Sequence, residues 1–376
     1  MTTVAEVLAQ TICEAGIDTV FGLPGGENAE VLDALRRQGV EFVLVRNETS
    51  GVFMADVTAR LTGKPSVALA TLGPGATNAY CGMAHAYLDR APVLLITAQS
   101  DRRTLDTYTH QVIDLQASFK PVTKMTRELT NEGTRQTVKE ALRFTTADRP
   151  GPVHLGVSAF MAGQAVLKDG SPADPNENTT FKASARSVAQ ADVDAARALL
   201  IGAARPVIVA GIGLEPERPY KEIRQLAEAV QAPVIVTPKA KGAISDDHPL
   251  SAGTFGLSHA DPAYDIANES DCIVAVGFDV VEMERPWNQP QPIIWIAPWR
   301  NENPKMSAVR HELPGSMIPV LKQLASGNYD PHPDWGQTRV ATHRKTQTQI
   351  IQLEPVAYRL RLYVMSCANV SPAKRS

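Results

Sequence analysis

Segments of helical and strand periodicity alternate along the first 160 residues of the chain. Apolar residues between Val4 and Ala15 fall on one helical face, and Gly16 predicts the end of that helix. Predicted strands follow at 19–21, 41–45, 66–71 and 93–98, with predicted helices at 27–38, 50–61 and 76–87. The strand at 41–45 is interpreted as buried. Strands that alternate with helices indicate βαβ units and a parallel sheet covered on both faces.

A second α/β pattern follows a stretch rich in Gly, Asp, Pro, Asn and Thr that begins near residue 163. Its predicted helices are 189–200 and 219–230, and its predicted strands are 206–210, 233–237, 272–276 and 293–297. The pattern therefore predicts two doubly wound parallel-sheet α/β domains, at 1–165 and 188–328, joined by a linker at 166–187.

The composition changes in the segment 329–376. From Arg339 onward, seven Lys or Arg residues accompany a single acid, Glu354, and strong periodicity is confined to one candidate helix at 350–362. So few residues cannot bury a core of their own. We therefore expect a disordered or truncated basic tail there.

Composition and charge narrow the class of protein. Hydrophobic residues make up 44% of the chain and charged residues 20%, with a net charge of −3, which favours a globular protein without a nucleic-acid partner. No apolar run reaches the roughly 18 to 20 residues that span a membrane. The N-terminus lacks a basic region followed by an apolar run, so we expect no signal peptide. Four cysteines without paired spacing predict buried thiols in a reducing compartment, so we expect a cytoplasmic location.

Glu48 stands just after a predicted strand and before a predicted helix. Ligands of doubly wound sheets bind at this carboxyl edge, where a partly desolvated carboxyl can share a proton with a heterocyclic nitrogen. The alternative is an ordinary acid in a first helical turn, where the helix dipole favours negative charge.

Glycine-rich turns occupy equivalent positions between strands and helices. Two are Gly22-Leu23-Pro24-Gly25-Gly26 and Gly73-Pro74-Gly75-Ala76-Thr77-Asn78. Glycine there allows close backbone approach to a ligand, although ordinary βα turns use it too. Gly211-Ile212-Gly213 is a weak dinucleotide signal because the third glycine position is Pro216. Histidine spacing gives no support to a zinc site. These patterns alone predict a two-domain α/β ligand-binding protein and no particular reaction.

The order of these motifs resembles the thiamine-diphosphate (ThDP) enzyme superfamily, specifically acetolactate synthase. The resemblance covers nearly all of residues 1–160 and, more loosely, 189–325. It is carried by Val20 to Gly26, Arg46-Asn47-Glu48, Phe53 to Asp56, Ala59 to Lys64, Thr71 to Asn78 and Asp89 to Gln99, and in the second domain by Arg205 to Gly211, Ala232 to Thr237, Lys241 to Ala243, Asp246 to Leu250 and Val276 to Asp279.

The resemblance implies a pyrimidine-binding first domain and a central domain. Glu48 would be catalytic, because the matching glutamate hydrogen-bonds the N1′ nitrogen of the cofactor aminopyrimidine and thereby promotes loss of the thiazolium C2 proton. The implied cofactor-binding residues are Pro24, Gly25, Gly26, Glu48, Thr71, Gly73, Pro74, Gly75 and Asn78. Gln111 matches a substrate-side glutamine, whereas its neighbours His110 and Val112, and also Asn47, depart from the family pattern.

Two cofactor questions follow from the resemblance. Some relatives bind FAD in the central domain and others do not, so the resemblance leaves FAD open. The family holds Mg²⁺ and the cofactor diphosphate through a Gly-Asp-Gly motif in a third domain, and no Gly-Asp-Gly occurs in these 376 residues. We therefore expect only the pyrimidine end of ThDP to find its site here.

These features lead to two main hypotheses. The chain is either an incomplete 2-keto acid carboligase or decarboxylase, inactive alone, or a non-catalytic binding and assembly module with the same fold. Retention of Glu48 favours the first hypothesis, and the lack of a diphosphate motif favours the second. In both cases the expected partner is a second copy or a chain that carries the diphosphate-binding domain. A third reading, a nucleotide-binding protein that uses only the central domain, has less support.

Overall fold

The computed structural model describes residues 1–107, 109–167, 187–215, 217–257, 261–284, 286–301, 306 and 308–353. The chain divides into two compact units. The first unit comprises Met1–Arg186 with Pro298–Arg300, and the second comprises Ser187–Ala297 with Asn301–Ser376. Each unit contains a six-stranded sheet, which confirms the predicted α/β fold class.

All strand pairs in the first unit are parallel, and the strand order is β2-β1-β3-β4-β6-β5. The strands are β1 (Thr19–Gly22), β2 (Glu41–Leu44), β3 (Ser66–Ala70), β4 (Val93–Gln99), β5 (Met125–Glu128) and β6 (Val153–Ser158). The helices are α1 (Val4–Glu14), α2 (Ala29–Arg37), α3 (Glu48–Thr62), α4 (Pro74–Leu88), α5 (Leu115–Phe119), α6 (Thr134–Thr146) and α7 (Ala159–Ala162).

Burial in this sheet follows the position of each strand. Every residue of β3 is buried, because β3 lies inside the sheet with helices on both faces. The prediction of a buried strand at 41–45 is wrong: β2 is the edge strand beside β1, and its Glu41 and Leu44 are exposed. An apolar run alone does not distinguish a central strand from an edge strand.

The second unit repeats the architecture, with strand order β12-β11-β10-β7-β8-β9 and parallel pairing throughout. Its strands are β7 (Pro206–Ala210), β8 (Val234–Val236), β9 (Ser251–Thr254), β10 (Cys272–Val276), β11 (Ile293–Ala297) and β12 (Val309–Pro314). Its helices are α8 (Gln190–Ile201), α9 (Tyr220–Val230), α10 (Ala263–Glu269), α11 (Met317–Ala325) and α12 (Gln337–Leu353). The chain direction across the sheet reverses between β7 and β10, which is the topological switch point.

Helix α12 and the residue Trp335 contradict the expectation of a disordered tail for residues 335–348. Trp335 is buried and its indole nitrogen donates to the carbonyl oxygen of Pro206 at 2.7 Å. Val340 is also buried. A net basic composition did not reveal that these two apolar residues pack on a core that the rest of the unit supplies. Residues 354–376, and most of the candidate helix at 350–362, lie outside the described residues.

Two expectations from composition concern burial and membrane character. Cys272 is buried, as predicted, whereas Cys13 and Cys81 are exposed, so the prediction is wrong for those two thiols; Cys367 lies outside the described residues. Within the described chain, no helix has the length and apolar character that a membrane span requires.

Candidate cofactor site

Glu48 is the first residue of α3, and the local sequence fixes it there. The side chain of Asn47 caps the helix by accepting from the backbone N–H of Thr49 at 2.9 Å. Gly51 faces the end of β1, where a Cβ atom would lie in ordinary van der Waals contact, 3.5 Å from the backbone of Gly22. Glu48 therefore begins α3 shortly after β2, at the carboxyl edge of the sheet, and is 9% exposed as a residue.

Asn78 contacts Glu48 from the neighbouring helix α4. Its Nδ2 atom donates to Oε2 of Glu48 at 3.2 Å. The hydroxyl of Thr49 donates to the main-chain carbonyl of Asn78. These two hydrogen bonds join the N-terminal parts of α3 and α4 and orient the Glu48 carboxyl group. The structure therefore places Glu48 and Asn78, two of the residues that the resemblance implies for cofactor binding, in direct contact.

Thr71 and two of the predicted glycines pack closely together beside Glu48. A Cβ atom on Gly25 would lie 2.3 Å from Cγ2 of Thr71. One on Gly75 would lie 2.2 Å from Oγ1 of Thr71 and 3.2 Å from Oε1 of Glu48. Because real Cβ atoms do not approach so closely, both positions require glycine in this conformation.

Gln111 lies against the second glycine turn. Gly73 has a φ of +55°, and Gln111 itself has a φ of +57°. A Cβ atom on Gly73 would lie 2.7 Å from both Cβ and the carbonyl oxygen of Gln111. The fold thus brings the predicted substrate-side residue to the turn that precedes α4.

Pro24, Gly26 and Pro74 are placed on the outer side of these turns. All three residues are exposed, and a Cβ atom on Gly26 would have no heavy atom within 4 Å. Pro74 is the first residue of α4, where its fixed φ favours helix initiation. Among the described contacts, none joins these three residues to Glu48, and their positions shape the two turns.

Asn28 was not predicted from the sequence, yet it holds the first glycine turn in place. It is buried, and its Oδ1 atom accepts from the backbone N–H of Gly25 at 2.9 Å. Its Nδ2 atom donates to the carbonyl oxygen of Leu23 at 3.4 Å. An asparagine two residues after the turn and just before a helix was the available signal.

A histidine and two aspartates come together on α3 and α4, although their sequence spacing indicates no metal motif. The donor atoms of Asp56, His85 and Asp89 all lie within 4.8 Å of one another. Arg60 reaches both carboxylates, with its Nη2 atom 3.0 Å from Asp89 and its Nε atom 2.5 Å from Asp56. Because this guanidinium already supplies the positive charge, the cluster is an ion-pair network that joins the two helices.

Comparisons with known proteins give matches to both units of the chain. Residues 2–118 match the family described as "Thiamine pyrophosphate enzyme, N-terminal TPP binding domain", and residues 193–324 match the corresponding central domain. A probable acetolactate synthase large subunit from Methanocaldococcus jannaschii is 31% identical over 274 residues, which cover 73% of this chain and 46% of the relative.

Two further relatives extend the comparison. Acetolactate synthase from Bacillus subtilis is 32% identical over 296 residues, covering 76% of this chain and 49% of the relative. A probable 2-ketoarginine decarboxylase from Pseudomonas aeruginosa is 30% identical over 298 residues, covering 77% and 51%. The chain spans about half the length of the curated relatives it matches. By its N-terminal and central domains, the chain belongs to the thiamine pyrophosphate enzyme family.

Proposed function

We propose that the protein takes part in a ThDP-dependent carboligation or decarboxylation of 2-keto acids, of the acetolactate synthase type. The observation that carries this proposal is the Glu48 carboxyl group, which is buried and held by Asn78 beside a wall of glycine backbone. Such a carboxyl group can exchange a proton with a ring nitrogen in a site that excludes water.

The residues fit the aminopyrimidine end of ThDP. The absence of Cβ atoms at Gly25, Gly73 and Gly75 lets Thr71 and Gln111 pack directly against the two turns, which sets the shape of the surface beside the Glu48 carboxyl group. When bound, ThDP supplies the electron sink that 2-keto acid decarboxylation requires. Glu48 would hold a proton at the pyrimidine nitrogen, and Asn78 would keep the Glu48 carboxyl group in position.

The other predicted residues would shape the site. Thr71, Pro24, Gly26 and Pro74 would set the conformation of the two turns, while Gln111 would lie on the substrate side. The relatives named above include acetolactate synthases and a probable 2-ketoarginine decarboxylase. One of these names specifies a 2-keto acid, so we propose a 2-keto acid as the substrate class and leave its side chain unspecified.

The diphosphate end of the cofactor would be bound elsewhere. No Gly-Asp-Gly motif occurs in these 376 residues. We propose that Mg²⁺ and the diphosphate are held by a domain outside these residues, and that the protein forms a homodimer or pairs with a chain that carries this domain. Charge-assisted hydrogen bonds contribute roughly 1.5 to 3 kcal/mol each, so ThDP binding by these residues alone should be very weak.

A non-catalytic assembly module is the second candidate function. The lack of a Gly-Asp-Gly motif favours it. The contact between Glu48 and Asn78 favours the enzyme instead, because assembly alone does not require a buried carboxyl group with an amide donor at this sheet edge.

Calorimetric titration with ThDP and Mg²⁺ distinguishes these proposals. The chain would be titrated alone and together with the third domain of a full-length relative. We expect ThDP binding only in the mixture. The variant Glu48→Gln should lose that binding. The control Glu30→Gln, which changes an exposed carboxylate on α2, should bind ThDP as wild type does. Tight binding by the chain alone would contradict the proposal that the diphosphate site lies elsewhere. No binding in either format would favour the assembly module.

A further inference from the structure

The first turn of the second unit lies at the switch point, where doubly wound folds bind dinucleotides. A phosphate at such a turn is held by free backbone N–H groups. Here the N–H groups of Gly211, Gly213 and Leu214 donate within the protein, to Val276 at 3.0 Å, Gly277 at 2.7 Å and Gly211 at 3.2 Å. These three groups are therefore not available to a ligand.

The remaining N–H of the turn is held by a side chain. The N–H of Ile212 donates to Oε2 of Glu282 at 2.8 Å. A Cβ atom on Gly211 would lie 2.8 Å from the same Oε2 atom, so the absence of a side chain at Gly211 is what admits the carboxyl group. Oε2 of Glu282 thus lies where a phosphate oxygen would accept this hydrogen bond.

The neighbouring groups add to the exclusion of an anion. Asp279 is buried, and its Oδ1 atom accepts from the N–H of Val281 at 3.0 Å. Desolvation raises the pKa of Glu282 and the charge of Asp279 adds to that rise, while Thr237, the Ile212 N–H and Lys239 favour the ionised form of Glu282. One buried acid, one partly buried acid and one exposed lysine make this turn a poor environment for a diphosphate.

The helix that should follow the turn begins too late to assist. In dinucleotide-binding folds the helix starts at the glycine turn, and its N-terminus attracts the diphosphate. Here α9 starts at Tyr220, beyond a short 3-10 turn at Ile212–Leu214. The positive end of the α9 dipole is therefore separated in sequence from Gly211.

We propose that Glu282 closes the switch-point crevice of the second unit by taking the place of a phosphate at the Gly211–Gly213 turn, so that this unit does not bind FAD or another dinucleotide. The residues present do not fit the flavin cofactor that some relatives carry. This inference is independent of the proposed ThDP chemistry, because every residue that carries it belongs to the second unit.

Titrations of the full chain with FAD and with inorganic pyrophosphate test the proposal. Wild-type protein should bind neither ligand in the second unit. Glu282→Ala frees the Ile212 N–H, and one charge-assisted hydrogen bond should make pyrophosphate binding at least about tenfold tighter than in wild type. Glu282→Gln is the matched control: its amide oxygen still accepts from Ile212, so its response should equal that of wild type.

Two results would overturn the proposal. One is FAD binding by the wild-type protein, detected by calorimetry and by flavin absorbance that persists through gel filtration. The other is a pyrophosphate response in Glu282→Ala no stronger than in Glu282→Gln. Tryptophan fluorescence verifies folding of each variant, and Glu282→Ser replaces the alanine variant if that variant unfolds. The wild-type titration tests the exclusion of FAD whichever variant folds.

Discussion

Thr71 and Gly75 approach so closely that a Cβ atom on Gly75 would lie 2.2 Å from Oγ1 of Thr71. Gly75→Ala should therefore overpack the wall beside Glu48 and destabilise the first unit by about 1 to 3 kcal/mol. It should also abolish ThDP binding in the mixture with a diphosphate-binding domain. Denaturant unfolding and calorimetric titration measure these two effects.

The chain supplies both a control and a rescue for this change. Gly26→Ala adds a methyl group in open space within the first glycine turn and should leave stability within about 0.5 kcal/mol of wild type. Thr71→Ala removes the hydroxyl that Gly75→Ala would strike, so the double variant should be more stable than the sum of the single changes predicts. Strict additivity would show that this contact is not the cause.

Several strands buried inside a sheet were predicted well. Strands β7, β10 and β11 occupy the predicted ranges because continuous apolar runs are typical of strands covered on both faces. Strand β6 (Val153–Ser158) is also buried inside its sheet, but it was not predicted. The edge strands β5, β9 and β12 were not predicted either. Because β5 and β9 carry few apolar residues, pairing with a neighbour, and not periodicity, defines them.

Residues of the candidate site could be predicted from the sequence where they belong to a family motif. Residues whose contact depends on the path of the folded chain could not be predicted. Glu48, Thr71, Gly75 and Asn78 came from motif order, and the structure brings them together. The link between Asn28 and Gly25 depends on the path of a turn, which no spacing rule specifies.

Arg344 should anchor α12 to the second unit. Its Nη2 atom donates to the carbonyl oxygens of Asp246, His248 and Ser251 at 2.7, 2.8 and 2.9 Å. Arg344→Met should destabilise this unit by about 1.5 to 3 kcal/mol, since hydrogen bonds from a charged donor are lost. Lys345→Met, the same charge removal at the adjacent exposed residue, should have little effect. Equal unfolding midpoints for the two variants would contradict the anchoring role.

His154 should make the first unit sensitive to acid. Burial lowers the pKa of His154 from 6.5 to about 3, and its ring nitrogens contact the hydroxyls of Thr97 at 2.8 Å and Thr126 at 2.7 Å. Because the folded state favours the neutral ring, the stability linked to His154 is complete above pH 6.5 and is lost as the pH falls towards about 3.

The variant His154→Gln has no group at this position that titrates in this pH range. It should therefore lose that acid dependence, even if it is less stable than wild type at every pH. Hydrogen exchange of the peptide that contains β6 reports on this unit alone. The same acid dependence in wild type and His154→Gln would rule out His154 as its source.

Glu282 should give the second unit the opposite pH dependence. Burial raises the pKa of Glu282 from 4.5 to about 7. The folded state therefore favours the protonated carboxyl group, so the stability linked to Glu282 is complete below pH 4.5 and is lost as the pH rises through about 7.

Fluorescence-detected unfolding measures this effect. It reports mainly on the second unit, because three of the four tryptophans belong to it, namely Trp287, Trp295 and Trp335. Between pH 4.5 and about pH 7 the midpoint of unfolding should fall in wild type and stay level in Glu282→Gln. The same dependence of the midpoint on pH in both proteins would show that another group titrates.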